Sequence, residues 1–127
     1  MSHVLLIEPN TVLAKTYTQA LQHAGHSVAW VSGAQTAVDA ADKKMPDVVI
    51  LELQLPQHNG VEFLHEFRSY TEWANIPVVI NTTLSPARMM LAKATLQRDL
   101  GVVDILYKPR TTLQDIIRLA REYSQSV

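Results

Sequence analysis

Residues 46–53 read PDVVILEL, and this stretch decides the fold class. After Pro46, apolar side chains stand at consecutive positions from Val48 to Leu51 instead of at every second one. A strand with that pattern is buried on both faces, which is typical of a parallel sheet covered by helices. The polar residue Glu52 interrupts the stretch near its carboxyl end, where open parallel sheets place their binding sites.

The surrounding sequence alternates similar runs with segments of helical spacing. The predicted strands are Val4–Ile7, Ser27–Val31, Asp47–Leu53, Ile76–Asn81 and Val102–Tyr107. The predicted helices are one capped by Asn10 and ended by Gly25, then Ala34–Lys44, one beginning at Gly60, Ser85–Leu100, and one capped by Thr111 with Gln114. This order predicts an α/β fold, a doubly wound, five-stranded parallel sheet flanked by five helices.

Length and composition exclude several classes of protein. The chain has 127 residues, enough for one domain, which we predict to cover residues 1–127. Eleven basic residues against 12 acidic ones leave no basic footprint for direct nucleic-acid binding. The absence of cysteine excludes disulfides and thiolate metal sites. No apolar run could cross a membrane, so we expect a soluble, cytoplasmic protein.

Chemically active side chains gather where the strands are predicted to end. Glu8 follows the first strand, Glu52 lies in the third, Thr82 and Thr83 follow the fourth, and Lys108 follows the fifth. We therefore expect a crevice with two carboxylates, a hydroxyl pair and a lysine. An acid beside a lysine is also consistent with a purely structural ion pair.

Five segments together carry a resemblance to a known family. They are Val4–Glu8, Pro46–Leu51 leading into Leu53–Pro56, Asn59-Gly60, Ile76–Ile80 leading to Thr82, and Lys108-Pro109. In this order and spacing they resemble the receiver domain of two-component response regulators, the CheY-like family, over essentially the whole chain. The resemblance implies the strand order 2-1-3-4-5.

The resemblance also implies a chemistry. In that family an Asp on strand three takes a phosphoryl group from a histidine kinase, and two acids after strand one help that Asp and a backbone carbonyl to hold magnesium. A hydroxyl ending strand four and a lysine ending strand five bind the phosphoryl oxygens. By this resemblance Thr82 and Lys108 match the last two roles, Glu8 matches the first acid, and Gln54 supplies the backbone carbonyl.

Two departures from the family pattern touch this chemistry. Glu52 stands at the phosphoacceptor position in place of Asp, and Pro9 stands at the second acid position. A carboxylate displaced by on the order of 1 Å costs roughly a hundredfold in rate, and magnesium loses a ligand at Pro9. We therefore expect no metal, or weakened magnesium binding through Glu8, Glu52 and the Gln54 backbone. Asn10 could offer an amide oxygen, but a helix cap is the preferred interpretation.

Two further features bear on switching and on partners. The family often has an aromatic residue at the strand-five position that Ile105 occupies here, so the aromatic switch is expected to be absent. Thr82 and Lys108 are about four residues, one helical turn, further apart than usual in the family. Either the fourth helix is longer or the loop before it is enlarged. Both would alter the face of helix four, strand five and helix five, which the family uses for dimers and output partners.

These observations predict an atypical receiver domain that acts through protein–protein interaction, is not an enzyme, and is not phosphorylated by the usual Asp route. The expected partners are a histidine kinase or an output protein, with a homodimer through helix four, strand five and helix five as a further possibility. Glu52 either locks one signalling state or merely neutralises Lys108. The alternatives are a magnesium-dependent receiver that still accepts phosphate, and a small-ligand module that uses the same crevice.

Overall fold

The computed structural model describes residues 2–124 and contains a sheet of five parallel strands. The strands are β1 (His3–Ile7), β2 (Ser27–Val31), β3 (Val48–Leu51), β4 (Val78–Thr82) and β5 (Val102–Tyr107). They lie in the order β2-β1-β3-β4-β5, so the predicted topology is confirmed. Residues 1 and 125–127, which the predicted domain includes, lie outside the described residues.

Five α-helices of the described chain connect and follow the strands. They are α1 (Thr11–His23), α2 (Ala34–Lys43), α3 (Gly60–Ser69), α4 (Pro86–Asp99) and α5 (Leu113–Tyr123). The Asn10 side chain accepts a hydrogen bond from the N–H of Leu13 at 3.0 Å, and thus caps α1 as predicted. Ser85 caps α4 and Pro86 occupies its first turn, also as predicted.

The predicted cap of the last helix is wrong by one residue. Thr112, not Thr111, accepts a hydrogen bond from the N–H of Asp115 at 3.1 Å, and the Asp115 carboxylate accepts one from the N–H of Thr112 at 2.9 Å. Asp115 is a better partner for this capping box than Gln114, because a negative charge is stabilised at a helix N-terminus. The Thr111 hydroxyl instead donates to the buried Asn81 amide oxygen at 2.8 Å.

Helices cover both faces of the sheet and explain its consecutive apolar runs. Every residue of β1, β3 and β4 is buried. Alternate strand residues belong to two separate core clusters, one shared with α1 and α5 and the other with α2, α3 and α4. Since both faces of these strands are dry, apolar residues are favoured at every position.

The long spacing between β4 and β5 is taken up by helix, not by loop. Three residues, Thr83–Ser85, link β4 to α4, and α4 itself has 14 residues. Of these two alternatives, the structure thus supports the longer helix. Only Met89 and Leu96 of α4 are buried, so most of this helix faces solvent.

At the amino end of the sheet, the Arg68 side chain of α3 fastens the start of β5 to its neighbours. Its guanidinium donates to the carbonyl oxygens of Trp73 at 2.7 Å, Leu100 at 2.9 Å and Gly101 at 3.2 Å. Gly101 has a φ of +67°, and a Cβ there would lie 2.7 Å from the guanidinium. The left-handed backbone of the turn after α4 therefore favours glycine, and the missing side chain also leaves room for Arg68.

Candidate functional site

Four predicted site residues meet at the carboxyl edge of the sheet. Glu8 directly follows β1, Glu52 directly follows β3, Thr82 ends β4, and Lys108 directly follows β5. The two carboxylate side chains are each 2% exposed, and the Lys108 side chain is 11% exposed. Because parallel strands end at the same edge, residues up to 100 positions apart in the chain become neighbours in a site that is almost dry.

Lys108 bridges the two acids. Its Nζ lies 2.6 Å from Oε1 of Glu8 and 2.7 Å from Oε1 of Glu52. Two buried negative charges therefore share one positive charge. Removing one partner of such a buried ion group costs far more stability than forming the whole group contributes. The charge that remains is buried and is not solvated.

The carboxylate of Glu52 is saturated with hydrogen bonds. Its Oε1 accepts from the N–H of Thr83 at 3.1 Å in addition to Lys108. Its Oε2 accepts from the N–H of Gln54 at 3.0 Å and from the hydroxyl of Thr82. A carboxylate has about four acceptor positions, so neither oxygen has capacity left for another ligand.

These contacts move the pKa values of Glu52 and Lys108 apart. Burial acts to raise the pKa of Glu52, but the hydrogen bonds from Lys108, Thr82 and the Gln54 backbone outweigh it and hold that pKa below its ordinary value. Burial acts to lower the pKa of Lys108, but its hydrogen bonds to Glu52 and Glu8 outweigh it and raise that pKa. Glu52 is thus a carboxylate, and Lys108 an ammonium, across the physiological pH range.

The segment that follows β1 is organised by Glu8 and Asn10. Oε2 of Glu8 accepts from the N–H of Asn10 at 2.9 Å, and the Asn10 amide oxygen accepts from the N–H of Leu13. The side chain of Asn10 therefore caps α1, as the preferred interpretation predicted. Pro9, between the two, brings no polar side-chain atom to the site.

The remaining predicted residues, Gln54 and Ile105, lie beside the cluster. The Gln54 side chain is exposed and accepts a hydrogen bond from the hydroxyl of Thr83. Ile105 pairs with Ile80 across β4 and β5 and packs, partly buried, against the core. Its aliphatic side chain has no polar atom that could bond to Thr82.

Comparison with known families decides where this chain belongs. A family model described as the response regulator receiver domain matches residues 4–120. The chain belongs to this family. Receiver domains interact with histidine kinases and output proteins.

Curated relatives of this receiver domain are longer proteins. It is 30% identical over 116 residues to the probable transcriptional regulatory protein TcrX of Mycobacterium tuberculosis, covering 91% of this chain and 47% of that protein. It is 29% identical over 109 residues to the KDP operon transcriptional regulatory protein KdpE of Escherichia coli, covering 86% of this chain and 45% of that one. The chain thus spans about half the length of these relatives.

Solved structures support the same fold. The chemotaxis response regulator CheY4 of Vibrio cholerae superposes with a TM-score of 0.83 at 24% identity, covering 97% of this chain and 98% of that one. The receiver domain of a sensor histidine kinase from Pseudomonas aeruginosa superposes with a TM-score of 0.81 at 23% identity, covering 98% of each chain. That structure has a magnesium ion coordinated in its active site cleft.

The magnesium ion that the family implies does not fit the donors present here. Both oxygens of Glu52 already accept two donors each, and Lys108 places an ammonium between Glu52 and Glu8. Pro9 has no side-chain oxygen to offer where the family pattern has a second acid. Among residues 2–124, no group of three or more His, Cys, Asp or Glu side chains is placed to hold a metal ion.

Sequence reasoning missed two supports of the site. The Trp30 indole donates to the backbone carbonyl of Glu8 at 2.9 Å, and no residue pattern signals a bond to a backbone oxygen. Gly60 packs its backbone against β3: a Cβ there would lie 2.8 Å from the Cα of Leu53 and 3.0 Å from the Glu52 carbonyl oxygen. The sequence predicted that a helix begins at Gly60, but it did not predict this close approach to β3. The physical role of Gly60 is to let α3 begin directly behind Glu52.

A buried polar relay also adjoins the cluster. The Asn81 amide donates to the Tyr17 hydroxyl at 3.0 Å, and the Thr111 hydroxyl donates to the Asn81 amide oxygen at 2.8 Å. These bonds connect β4 to α1 and to the turn before α5.

No helix among the described residues is both long and apolar enough to span a membrane.

Proposed function

We propose that this chain is an atypical receiver domain that acts in two-component-type signalling through protein–protein contacts. In this proposal it is not an enzyme, and it takes no phosphoryl group at the strand-three position. The observation that carries the proposal is the saturated Glu52 carboxylate, whose two oxygens are held by Lys108, Thr82 and the N–H groups of Gln54 and Thr83.

The donors around Glu52 oppose its use as a nucleophile. Phosphoryl transfer requires a carboxylate oxygen that is free to attack and positive charge that neutralises the incoming phosphate. Here the attacking oxygens are engaged, and the lysine that would meet the phosphate is already shared by Glu8 and Glu52. Magnesium would be the other source of positive charge, and the donors present here do not fit it.

The same contacts favour a fixed signalling state over the alternative in which Glu52 merely neutralises Lys108. Neutralisation would require only the ion pair between Glu52 and Lys108. Glu52 also binds the Thr82 hydroxyl and the N–H of Thr83, so it holds the end of β4 and the link to α4. One carboxylate thereby fixes the segment that phosphorylation rearranges in the family. A carboxylate has less charge than a phosphoryl group, but here it is buried, where each contact is stronger.

A test for phosphorylation decides the chemical part of the proposal. The protein would be incubated with a small phosphodonor, or with beryllofluoride, in the presence of magnesium, and followed by intact mass and by amide chemical shifts. We expect no phosphoryl adduct and no shift change around Glu52. A magnesium-dependent adduct on Glu52 of the native chain would refute the proposal.

A pair of variants supplies the matched control. Glu52→Asp alone should recover little phosphorylation, because Pro9 still denies the metal a ligand. Glu52→Asp combined with Pro9→Asp should recover magnesium-dependent phosphorylation, which would demonstrate that the assay detects a competent site. Full recovery in the single variant would contradict the role given to Pro9.

A further inference from the structure

The two edge strands of the sheet, β2 and β5, are protected to different degrees. An edge strand can pair with another extended chain unless a charge, a bulge or a capping side chain prevents it. β5 has all three devices. Its pairing with β4 shifts register after Val78, and the Asp104 carboxylate accepts from the N–H of Ile105 at 2.9 Å. The carbonyl of Val103 accepts from the Tyr123 hydroxyl at 3.4 Å.

Within residues 2–124, β2 has none of these devices. Its five residues, SVAWV, include no charge and no proline, and they pair with β1 in unbroken register. All five are partly exposed, whereas every residue of the neighbouring β1 is buried. β2 is therefore an open edge of the sheet.

The hydrogen bonds between β1 and β2 show which backbone groups of this edge are free. The N–H of Ser27 donates to the carbonyl of Ser2, and the carbonyl of Val31 accepts from the residue that follows β1. Successive residues of a strand direct their backbone groups to opposite sides. Val28 and Trp30 thus direct their N–H and C=O groups away from β1, where the described chain has no strand. Four backbone groups are available for a new partner.

The open edge is already held in an extended conformation. The Trp30 indole donates to the carbonyl of Glu8 at 2.9 Å. The side chains of Val28 and Trp30 pack against the core cluster of α1 and α5, and those of Ala29 and Val31 pack against the other cluster. On pairing with this edge, only the incoming chain therefore has to become ordered.

An unpaired lysine lies beside the amino end of β2. Lys44 donates to the Ser27 hydroxyl at 3.4 Å and belongs to none of the ion pairs among residues 2–124. The carboxylate of Asp47, which directly precedes β3, accepts instead from the backbone N–H of His3 at 2.7 Å. A carboxylate on an incoming chain would therefore meet an ammonium that has no acidic partner.

A second copy of this chain fits the edge less well than a single extended segment. In a continuous sheet the two β2 strands would lie about 4.8 Å apart. Because α1 lies over β2 on one face of the sheet, its copy would lie closer than the roughly 8–10 Å at which helices pack. An extended segment brings no helix with it.

We propose that the outer edge of β2 binds an extended segment of another protein, which adds a sixth strand to the sheet. The segment has β-branched and other apolar residues along its length and an Asp or Glu where it passes Lys44. This inference rests on the proposed function, because it names a surface and a partner chemistry through which the domain would act.

Selection from a displayed library of unstructured peptides of about ten residues tests the proposal with the native chain as bait. We expect enrichment of acidic, β-branched peptides, slower hydrogen exchange at the amides of Val28 and Trp30, and binding that weakens with added salt. N-methylation of one alternating set of peptide amides should weaken binding by at least about tenfold, because each methyl group removes a donor. Methylation of the other set should leave binding unchanged.

Two variants of the chain locate the binding edge. Val28→Pro removes an outward N–H without breaking a bond to β1, and it should weaken binding by at least about tenfold. Its urea denaturation curve verifies that the fold is retained. Lys44→Glu, which leaves the backbone unchanged, should reverse the charge preference. Lys93→Glu, an exposed lysine on α4 near the other edge, is the matched control and should have no effect.

Several results would overturn the proposal. They are binding that tolerates both methylation patterns, binding that is indifferent to Val28→Pro or to Lys44→Glu, and self-association of the native chain that Val28→Pro abolishes. Failure to enrich any peptide counts against it equally. The phosphodonor assay is read by mass and does not depend on peptide binding, so a failure of this inference is distinguishable from a failure of the proposed function.

Discussion

Two partly buried cations fasten opposite ends of the sheet, and they do so by different means. Lys108, at the carboxyl end, lies between the carboxylates of Glu8 and Glu52. Arg68, at the amino end, donates to three backbone carbonyl oxygens. The first arrangement neutralises charge with charge, whereas the second satisfies a cation with backbone dipoles and with the face of the Phe67 ring, without a carboxylate.

The difference determines how each end responds to its surroundings. Carboxylates take up protons in acid, so the Lys108 cluster has a pH at which it fails. Backbone carbonyls do not titrate, and the Arg68 guanidinium stays protonated, although burial lowers its pKa. We therefore regard the amino end as a fixed structural joint and the carboxyl end as the part of the sheet whose state depends on charge.

The largest expected effect comes from Lys108→Met, which leaves two carboxylates buried without their cation. We expect the free energy of unfolding at pH 7 to fall by about 3–5 kcal/mol, measured by urea denaturation. The deficit should shrink as the pH falls and Glu52 becomes protonated. Lys15→Met, at an exposed position, is the matched control and should change stability by less than about 0.5 kcal/mol. A similar loss of stability in both variants would show that Lys108 contributes no more than an exposed lysine.

A smaller loss is expected from Arg68→Met at the other end. Removing three charge-assisted hydrogen bonds should cost about 3 kcal/mol, because the carbonyl oxygens of Trp73, Leu100 and Gly101 lose their donor. Urea denaturation from pH 5 to pH 8 should give the same deficit throughout, since no partner of Arg68 titrates. A deficit that changes with pH would refute the contrast with Lys108.

Glu52→Gln should have the smallest effect, about 2 kcal/mol at pH 7, and its pH dependence is the sharper measurement. The pKa of Glu52 is lowered in the folded state, so this group contributes stability that is present above its unfolded pKa of about 4.3. That contribution is lost as the pH falls through the folded pKa. The native chain should therefore lose its advantage over Glu52→Gln in acid.

An exposed acid provides the control for that measurement. Glu66→Gln, on the solvent side of α3, should leave both the stability and its acid dependence unchanged. If Glu52→Gln follows the native curve down to the lowest pH, the Glu52 carboxylate does not hold the site together.

Much of the site could be predicted because it depends on residue types at the ends of parallel strands. Glu8, Glu52, Thr82 and Lys108 are far apart in the chain, but the carboxyl edge of a parallel sheet has only one place for them to meet. The supports could not be predicted in the same way. Arg68 and Trp30 bond to backbone oxygens, which every residue has, so no residue pattern distinguishes their partners.

Residue order alone was enough to predict the alternation of strands and helices, because consecutive apolar runs such as 48–51 are stable only between two layers of helix. It also determined that the strand-three edge carries a carboxylate one methylene longer than aspartate. The folded structure was needed to establish that this carboxylate is saturated by donors from the ends of β4 and β5 and from its own loop, and that Met90 and Leu91 of α4 face outward. The hydrogen bonds to Glu52 depend on distances of a few ångströms between distant parts of the chain. The exposure of α4 side chains depends on which elements pack against that helix. Local residue order specifies neither.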